Sequence, residues 1–110
     1  MSKIGHNRPP DTGKLEVAFE FARTAWGWTQ AYKPGDNTDY FQDFTQPALH
    51  VLGAAALDVV SPGTDTELGR LCDQLRAELK DTVDPDVVGA RLEILWHLDE
   101  VGVEAAFTGA

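Results

Sequence analysis

The chain has 110 residues, 43% of them hydrophobic, which is enough for one domain with its own core and too apolar for a disordered tail. Its single cysteine excludes an internal disulfide framework and is typical of a reducing compartment, so we expect a cytoplasmic protein. The net charge of −9 is concentrated in residues 35–110, which carry fifteen Asp/Glu against four Lys/Arg. Such an acidic surface disfavours direct binding to nucleic acid and favours a partner protein with a basic surface.

The first thirteen residues, MSKIGHNRPPDTG, are rich in Pro, Gly and Asn and have no hydrophobic periodicity. They are interpreted as a flexible leader (1–13) to a single helical domain (14–110). The opening resembles the Ser-x-Ile-Gly-His-Asn-x-Pro-Pro leader of small uncharacterised proteins of alphaproteobacteria and their phages. The matching residues are Ser2, Ile4, Gly5, His6, Asn7, Pro9 and Pro10. This resemblance implies lineage only, and it carries neither a fold nor an active site.

The first helix is predicted over residues 14–32, ahead of a Lys-Pro-Gly-Asp turn. At about 100° per residue its apolar side chains form two stripes. The first stripe consists of Leu15, Ala18, Phe19, Ala22, Trp26 and Thr29, with Ala25 at its margin. The second stripe consists of Val17, Phe21, Trp28 and Tyr32. One stripe suffices to pack a helix on a core, so the second is either covered by a neighbouring helix or exposed as a dimer or partner surface.

The central helix is predicted over residues 47–60, PALHVLGAAALDVV, where only His50 and Asp58 are polar. A helix that is apolar on all sides is buried, and this one is too short to span a membrane. We therefore expect no face of it to be open to water. The aromatic residues in 39–46 are expected to form a short helical turn that caps one end of the core.

Two further helices complete an all-α fold, a compact bundle of about four helices around residues 47–60. Thr64 and Glu67 match the capping box, which predicts a helix from about residue 65. Asp84 and Pro85 predict the start of a last helix that runs to about residue 101. The end of the chain, 102–110, lacks a strong tendency to form a helix. Four glycines interrupt the predicted helices, namely Gly27, Gly53, Gly69 and Gly89. Close helix crossings are the preferred explanation, because a glycine inside a helix is otherwise destabilising.

No motif for catalysis, cofactor binding or metal ligation is present. The histidines and Cys72 have none of the spacings that metal sites use, and Cys72 falls on an apolar stripe where a thiol is inert. His50 is interpreted as a hydrogen-bonded core or boundary residue. Asp58 and Arg91 fall on apolar helix faces, so we expect them to form a buried ion pair; the alternative is that Arg91 awaits an external acid.

Two surfaces are candidates for binding a partner. The acidic residues of the first are Asp81, Asp84, Asp86, Glu93 and Glu100, with a separate cluster of Asp36, Asp39 and Asp43. Carboxylates spaced along a helix can imitate a row of phosphates, although an ordinary solvated face is the alternative. The second surface is the aromatic stripe Val17, Phe21, Trp28 and Tyr32.

The sequence thus predicts a non-catalytic protein-binding protein rather than an enzyme, with no cofactor and no metal. By analogy with small acidic phage proteins, we expect an anti-CRISPR-like inhibitor of a host nucleic-acid-handling defence complex. The alternative is a structural or assembly protein that forms homodimers or larger assemblies through the aromatic stripe.

Overall fold

The computed structural model describes residues 12–31, 40–81 and 88–108, and these ranges are helical without a strand. The α-helices are α1 (Thr12–Ala31), α2 (Gln46–Val59), α3 (Glu67–Asp81), α4 (Gly89–Val101) and α5 (Val103–Thr108). A π-helical turn, Phe41–Thr45, leads directly into α2. The predicted all-α bundle is confirmed, with five α-helices in the described ranges instead of about four.

Helices α1 and α2 pack side by side in opposite directions. Lys14 near the start of α1 contacts Asp58 near the end of α2, whereas Thr29 near the end of α1 contacts Thr45 just before α2. Both threonine hydroxyls donate to the carbonyl oxygen of Ala25, at 3.1 and 2.9 Å, inside the core. These contacts show which residues of the two helices lie at the same level. The buried side of α1 consists of Leu15, Ala18, Phe19, Ala22, Ala25 and Thr29.

Helix α2 lies at the centre of the fold, because α1, α3 and α4 all pack against it. Its buried residues are Ala48, Leu49, Leu52, Gly53, Ala55 and Ala56. The prediction that no face is open to water was wrong: Pro47, His50, Val51, Ala54 and Asp58 are exposed. The three neighbouring helices cover one side of α2 only, and folded proteins commonly leave much apolar surface in contact with water.

The π-helical turn explains how α2 accommodates Pro47 within its first turn. The backbone N–H of Gln46 donates to the oxygen of Phe41, five residues earlier, which widens the helix just before the proline. A proline ring would otherwise collide with the carbonyl of the preceding turn. Phe41 packs against the core, as expected for an aromatic cap. Phe44 instead lies exposed on the outer side of the turn, so the cap is smaller than predicted.

The connection between α2 and α3 differs in detail from the predicted capping box. The N–H of Gly69 donates to the hydroxyl of Thr66 at 2.9 Å, so Thr66 is the N-cap and α3 begins at Glu67. The hydroxyl of Thr64 instead donates to the oxygen of Ser61 at 2.7 Å within the preceding turn. Gly69 is required there, because a Cβ atom would lie 2.1 Å from the carbonyl oxygen of Thr64.

A guanidinium group holds the end of α2 against α3. Arg76 donates to the carbonyl oxygens of Leu57 and Val60, which have no further helical turn to bond to, and to the carboxylate of Asp73 at 2.9 Å. Asp73 also accepts the N–H of Gly63 at 3.1 Å. The Arg76–Asp73 pair therefore satisfies backbone groups on both sides of the turn.

The last part of the chain forms a helix that the sequence did not predict. Gly102, with a φ of +88°, ends α4, and α5 follows at once. Val103 and Ala106 are buried in the core, and this tertiary packing stabilises a segment whose own helix tendency is weak. The predicted start of the last helix at Asp84 and Pro85 lies outside the described residues, as does the predicted leader except for its last two residues.

Candidate protein-binding surface

Five large apolar side chains lie exposed along α1, the π-helical turn and α2, and we call them the apolar face. They are Val17 (73% exposed), Phe21 (55%), Trp28 (53%), Phe44 (55%) and Val51 (47%). Val17, Phe21 and Trp28 follow one another along a single side of α1, because their spacing keeps them within about 40° on a helix. The prediction that this stripe forms a second, separate side of α1 agrees with their exposure, whereas Tyr32 lies outside the described residues.

A groove runs between α1 and α2 at one end of the apolar face. It has a volume of about 930 Å³, and Val17 and Phe21 line it on one side and Val51 on the other. Two small buried residues, Ala18 and Ala55, form part of its floor. The remaining lining residues are Lys14, His50, Ala54, Leu57 and Asp58. Because the floor is built from alanines, the groove has room for side chains supplied from outside.

Three aromatic rings form the other end of the apolar face. The ring of Trp28 stacks on that of Tyr40, with centroids 6.4 Å apart and an angle of 17° between the planes. Tyr40 in turn contacts Phe44 at 4.7 Å between centroids. Tryptophan and tyrosine are enriched among the residues that dominate binding energy at protein interfaces. This cluster therefore extends the groove into a longer apolar surface.

The cations of the α1–α2 pair are matched by carboxylates, and the π-helical turn adds one exposed carboxylate, Asp43, beside them. Lys14 lies 3.1 Å from Asp58, and Arg23 lies 2.8 Å from Glu20, so both cations of the pair already have acidic partners. The Glu20 carboxylate raises the pKa of Arg23 above its ordinary value. Asp43 has no cation within 4 Å among the residues that the structure describes.

A second recess of about 700 Å³ adjoins the groove and shares His50 and Val51 with it. Its lining includes the carboxylate of Asp43 and the side chain of Arg91. Arg91 is only 3% exposed and therefore lies at the inner wall. The recess therefore has one exposed carboxylate, that of Asp43, and the buried side chain of Arg91 in its wall.

The predicted buried pair of Asp58 and Arg91 was wrong. Asp58 is exposed and pairs with Lys14, while Arg91 is buried with its Cγ 3.2 Å from where a Cβ on Gly53 would lie. Gly53 and Asp58 are five residues apart and so point about 140° apart on α2, which separates Asp58 from the Arg91 side. Gly53 thus lies at a close helix crossing, as predicted. The same explanation was wrong for Gly27 and Gly89, which face open space, and for Gly69, which lies close to the backbone of the preceding turn and not to a crossing helix.

The acidic residues of the predicted binding surface are distributed over different elements. Glu93 and Glu100 are exposed on α4, and Asp43 is exposed in the π-helical turn. Asp81 ends α3, and only its backbone position is described. Four more lie outside the described residues: Asp36, Asp39, Asp84 and Asp86.

His50 and Cys72 occupy opposite environments. His50 is exposed at the groove, which corrects its assignment to the core or its boundary. Cys72 is fully buried, and burial raises the pKa of its thiol to about 11, as its position on an apolar stripe predicted.

Within residues 12–31, 40–81 and 88–108, no group of three or more His, Cys, Asp or Glu side chains is arranged to hold a metal ion. No helix in that part of the chain is long and apolar enough to cross a membrane.

The fold and its surface define a small all-α protein with an exposed apolar face on one pair of helices. Comparison with protein-family models, curated proteins and solved structures gives no match for this chain. Sequence reasoning missed two members of the face, Phe44 and Val51, and it missed the groove between the helices. The apolar composition of α2 gave no signal for Val51, since an exposed valine in such a segment looks like a buried one, and Phe44 was expected to belong to the aromatic cap of the core.

Proposed function

We propose that this chain is a non-catalytic protein-binding protein and that its binding surface is the apolar face. The observation that supports this most directly is the exposure of five large apolar side chains on α1, the π-helical turn and α2. Burying such side chains against a partner is favourable by about 25 cal/mol for each Å² removed from water. Contiguous exposed apolar surface is uncommon on monomeric proteins and typically marks an interaction site.

The net charge of −9 favours a partner with a basic surface, because opposite charges accelerate encounter and align the two proteins. Proteins that handle nucleic acids present such surfaces. We therefore propose an anti-CRISPR-like inhibitor that occupies the basic surface of a host nucleic-acid-handling complex. The exposed carboxylates of Asp43, Glu93 and Glu100 are available to oppose that surface.

Affinity capture from an alphaproteobacterial lysate tests this function with matched variants. Phe21→Ser removes an apolar side chain of the face, and Leu79→Ser removes one that is exposed on α3, a helix that does not contact α1. We expect wild type and Leu79→Ser to capture the same host complex from the lysate, and Phe21→Ser to fail to capture it. The captured complex should then lose nucleic-acid binding or cleavage when wild-type protein is added. Identical captured proteins for all three forms would contradict the proposed surface.

The second candidate is a structural or assembly protein that self-associates, which the same exposed face also supports. Sedimentation of the isolated chain separates the two candidates. A stable oligomer at micromolar concentration that Phe21→Ser converts to a monomer would favour self-association. A monomeric wild-type chain would favour the inhibitor.

A further inference from the structure

The groove of the apolar face has the dimensions of a site for two turns of helix. Its lining extends from Lys14 to Phe21 on α1 and from His50 to Asp58 on α2, which corresponds to about 11 Å at 1.5 Å per residue. An amphipathic helix presents apolar side chains at i, i+4 and i+7, and these span a similar length. The floor formed by Ala18 and Ala55 leaves space for such side chains between the walls.

The charge around the groove distinguishes between the occupants that this shape allows. At one end Asp58 already neutralises Lys14, and in the adjoining recess the carboxylate of Asp43 is exposed while Arg91 is buried in the wall. An incoming helix with Lys or Arg beside its apolar side chains would bring cations to Asp43 and to the acidic surface as a whole. A second copy of this chain would instead bring another net charge of −9. Like charges oppose association, so the surface fits a basic helix better than itself.

We propose that the groove between α1 and α2 binds an amphipathic helix of a partner protein, with apolar side chains over Ala18 and Ala55 and basic side chains at Asp43. This proposal rests on the proposed protein-binding function and specifies the chemistry of the partner segment. The aromatic cluster of Trp28, Tyr40 and Phe44 extends the contact beyond the groove. Binding is driven by burial of the apolar face, and the carboxylates select for positive charge.

Two labelled peptides serve as probes, and each forms a helix of about 18 residues, or about five turns. One contains leucine along one side and lysine along the other, and the second replaces every lysine by glutamate. Fluorescence anisotropy measures their binding to the full chain at about 150 mM salt, where charges beyond about 8 Å are screened. Circular dichroism confirms that each protein variant is folded, and Val51→Ser replaces Phe21→Ser if the latter does not fold.

We expect the leucine–lysine peptide to bind and the leucine–glutamate peptide to fail. Phe21→Ser should weaken binding by about tenfold or more, and Asp43→Asn by about threefold. Leu79→Ser should change it by less than about twofold, because Leu79 lies on α3, away from the groove. Equal weakening by Leu79→Ser, or none by Phe21→Ser, would overturn the proposed site.

Other outcomes separate this proposal from the proposed function. Equal binding of both peptides, lost in Phe21→Ser, would overturn the basic occupant and leave the apolar face as a protein-binding surface. A wild-type oligomer that binds neither peptide and that Phe21→Ser dissociates would also overturn the basic occupant. The groove would then be occupied by a second copy of the chain, and the apolar face would still be a protein-binding surface. If Phe21→Ser and Val51→Ser alter neither peptide binding nor capture from lysate, the protein-binding function of this face fails as well.

Discussion

The ammonium group of Lys14 lies 3.1 Å from a carboxylate oxygen of Asp58, which joins the first turn of α1 to the last turn of α2. The contact reflects the antiparallel packing of the two helices, and both residues line one end of the groove. Both side chains are more than 60% exposed, so the pair is solvated on its outer side. Asp58 therefore carries its charge without the large desolvation cost that a buried pair with Arg91 would have imposed.

Breaking this pair should have little effect on stability. We expect Lys14→Ala and Asp58→Ala each to lower the free energy of unfolding by less than about 1 kcal/mol, because exposed ion pairs are screened by water and salt. Urea denaturation at low and high salt measures the effect, and the difference from wild type should shrink as salt rises. A loss of several kcal/mol for Asp58→Ala would instead indicate a buried partner for its carboxylate.

Gly69→Ala should destabilise the protein although alanine is the better helix former. The added Cβ would lie 2.1 Å from the backbone oxygen of Thr64, so the turn before α3 must shift. We expect a loss of about 1–3 kcal/mol, the usual range for overpacking. Gly27→Ala is the matched control, because nothing lies within 4 Å of its Cβ position, and it should stabilise the protein by about 0.5–1 kcal/mol. Chemical denaturation of both variants measures the two changes in the free energy of unfolding, which should have opposite signs.

The hydrophobic periodicity of the sequence predicts α1 correctly, because the apolar residues of a surface helix show which of its sides are packed against other elements. Leu15, Ala18 and Phe19 are buried, as the first stripe indicates. The pattern left open whether the second stripe is covered, and Val17 and Phe21 are exposed. Helix α2 could not be resolved in this way, because its residues are apolar on every side. How many neighbours cover such a helix depends on the packing of the whole chain, and this is not encoded in the local pattern.

The cap of α3 could not be predicted for a similar reason. Thr64 and Thr66 are both suitable cap residues, and the glutamate three residues after Thr64 favoured the wrong one. The close approach of the Thr64 backbone to Gly69 decides between them, and this contact depends on the conformation of the turn. The groove likewise arises from the side-by-side packing of two helices that are separate in the sequence.

Arg76→Ala should destabilise the junction between α2 and α3. The substitution leaves the carbonyl oxygens of Leu57 and Val60 without their guanidinium donor, and we expect a loss of about 1.5–3 kcal/mol, as for hydrogen bonds that involve a charged group. Arg70→Ala is the control. Arg70 lies on the same helix, but it is exposed and pairs with the exposed carboxylates of Asp65 and Glu67, so its loss should cost less than about 1 kcal/mol. Equal effects of the two variants would contradict the proposed role of Arg76.

Cys72 should make stability fall at high pH. Burial raises the pKa of its thiol from an ordinary value of 9.0 to about 11, and the nearby Asp73 adds to this shift while Arg76 opposes it. The folded protein therefore holds the proton more tightly than the unfolded chain, so the contribution to stability is complete below pH 9 and is lost as pH rises from 9 to 11. The shift corresponds to about 3 kcal/mol. Urea denaturation under reducing conditions should show the gap between wild type and Cys72→Ala decreasing over this range, and a constant gap would contradict the shift.

Substitution of Phe19 should lower the free energy of unfolding far more than substitution of Phe21, although the two residues are only two positions apart on α1. Phe19 belongs to the core, so Phe19→Ser should lower the free energy of unfolding by about 3–5 kcal/mol or prevent folding. Phe21 is exposed in the groove, so Phe21→Ser should change the free energy of unfolding by no more than about 0.5 kcal/mol. Denaturation of both variants measures this contrast. A large loss for Phe21→Ser would mean that its ring stabilises the isolated fold, and the exposed face would then contribute to folding instead of being available for a partner.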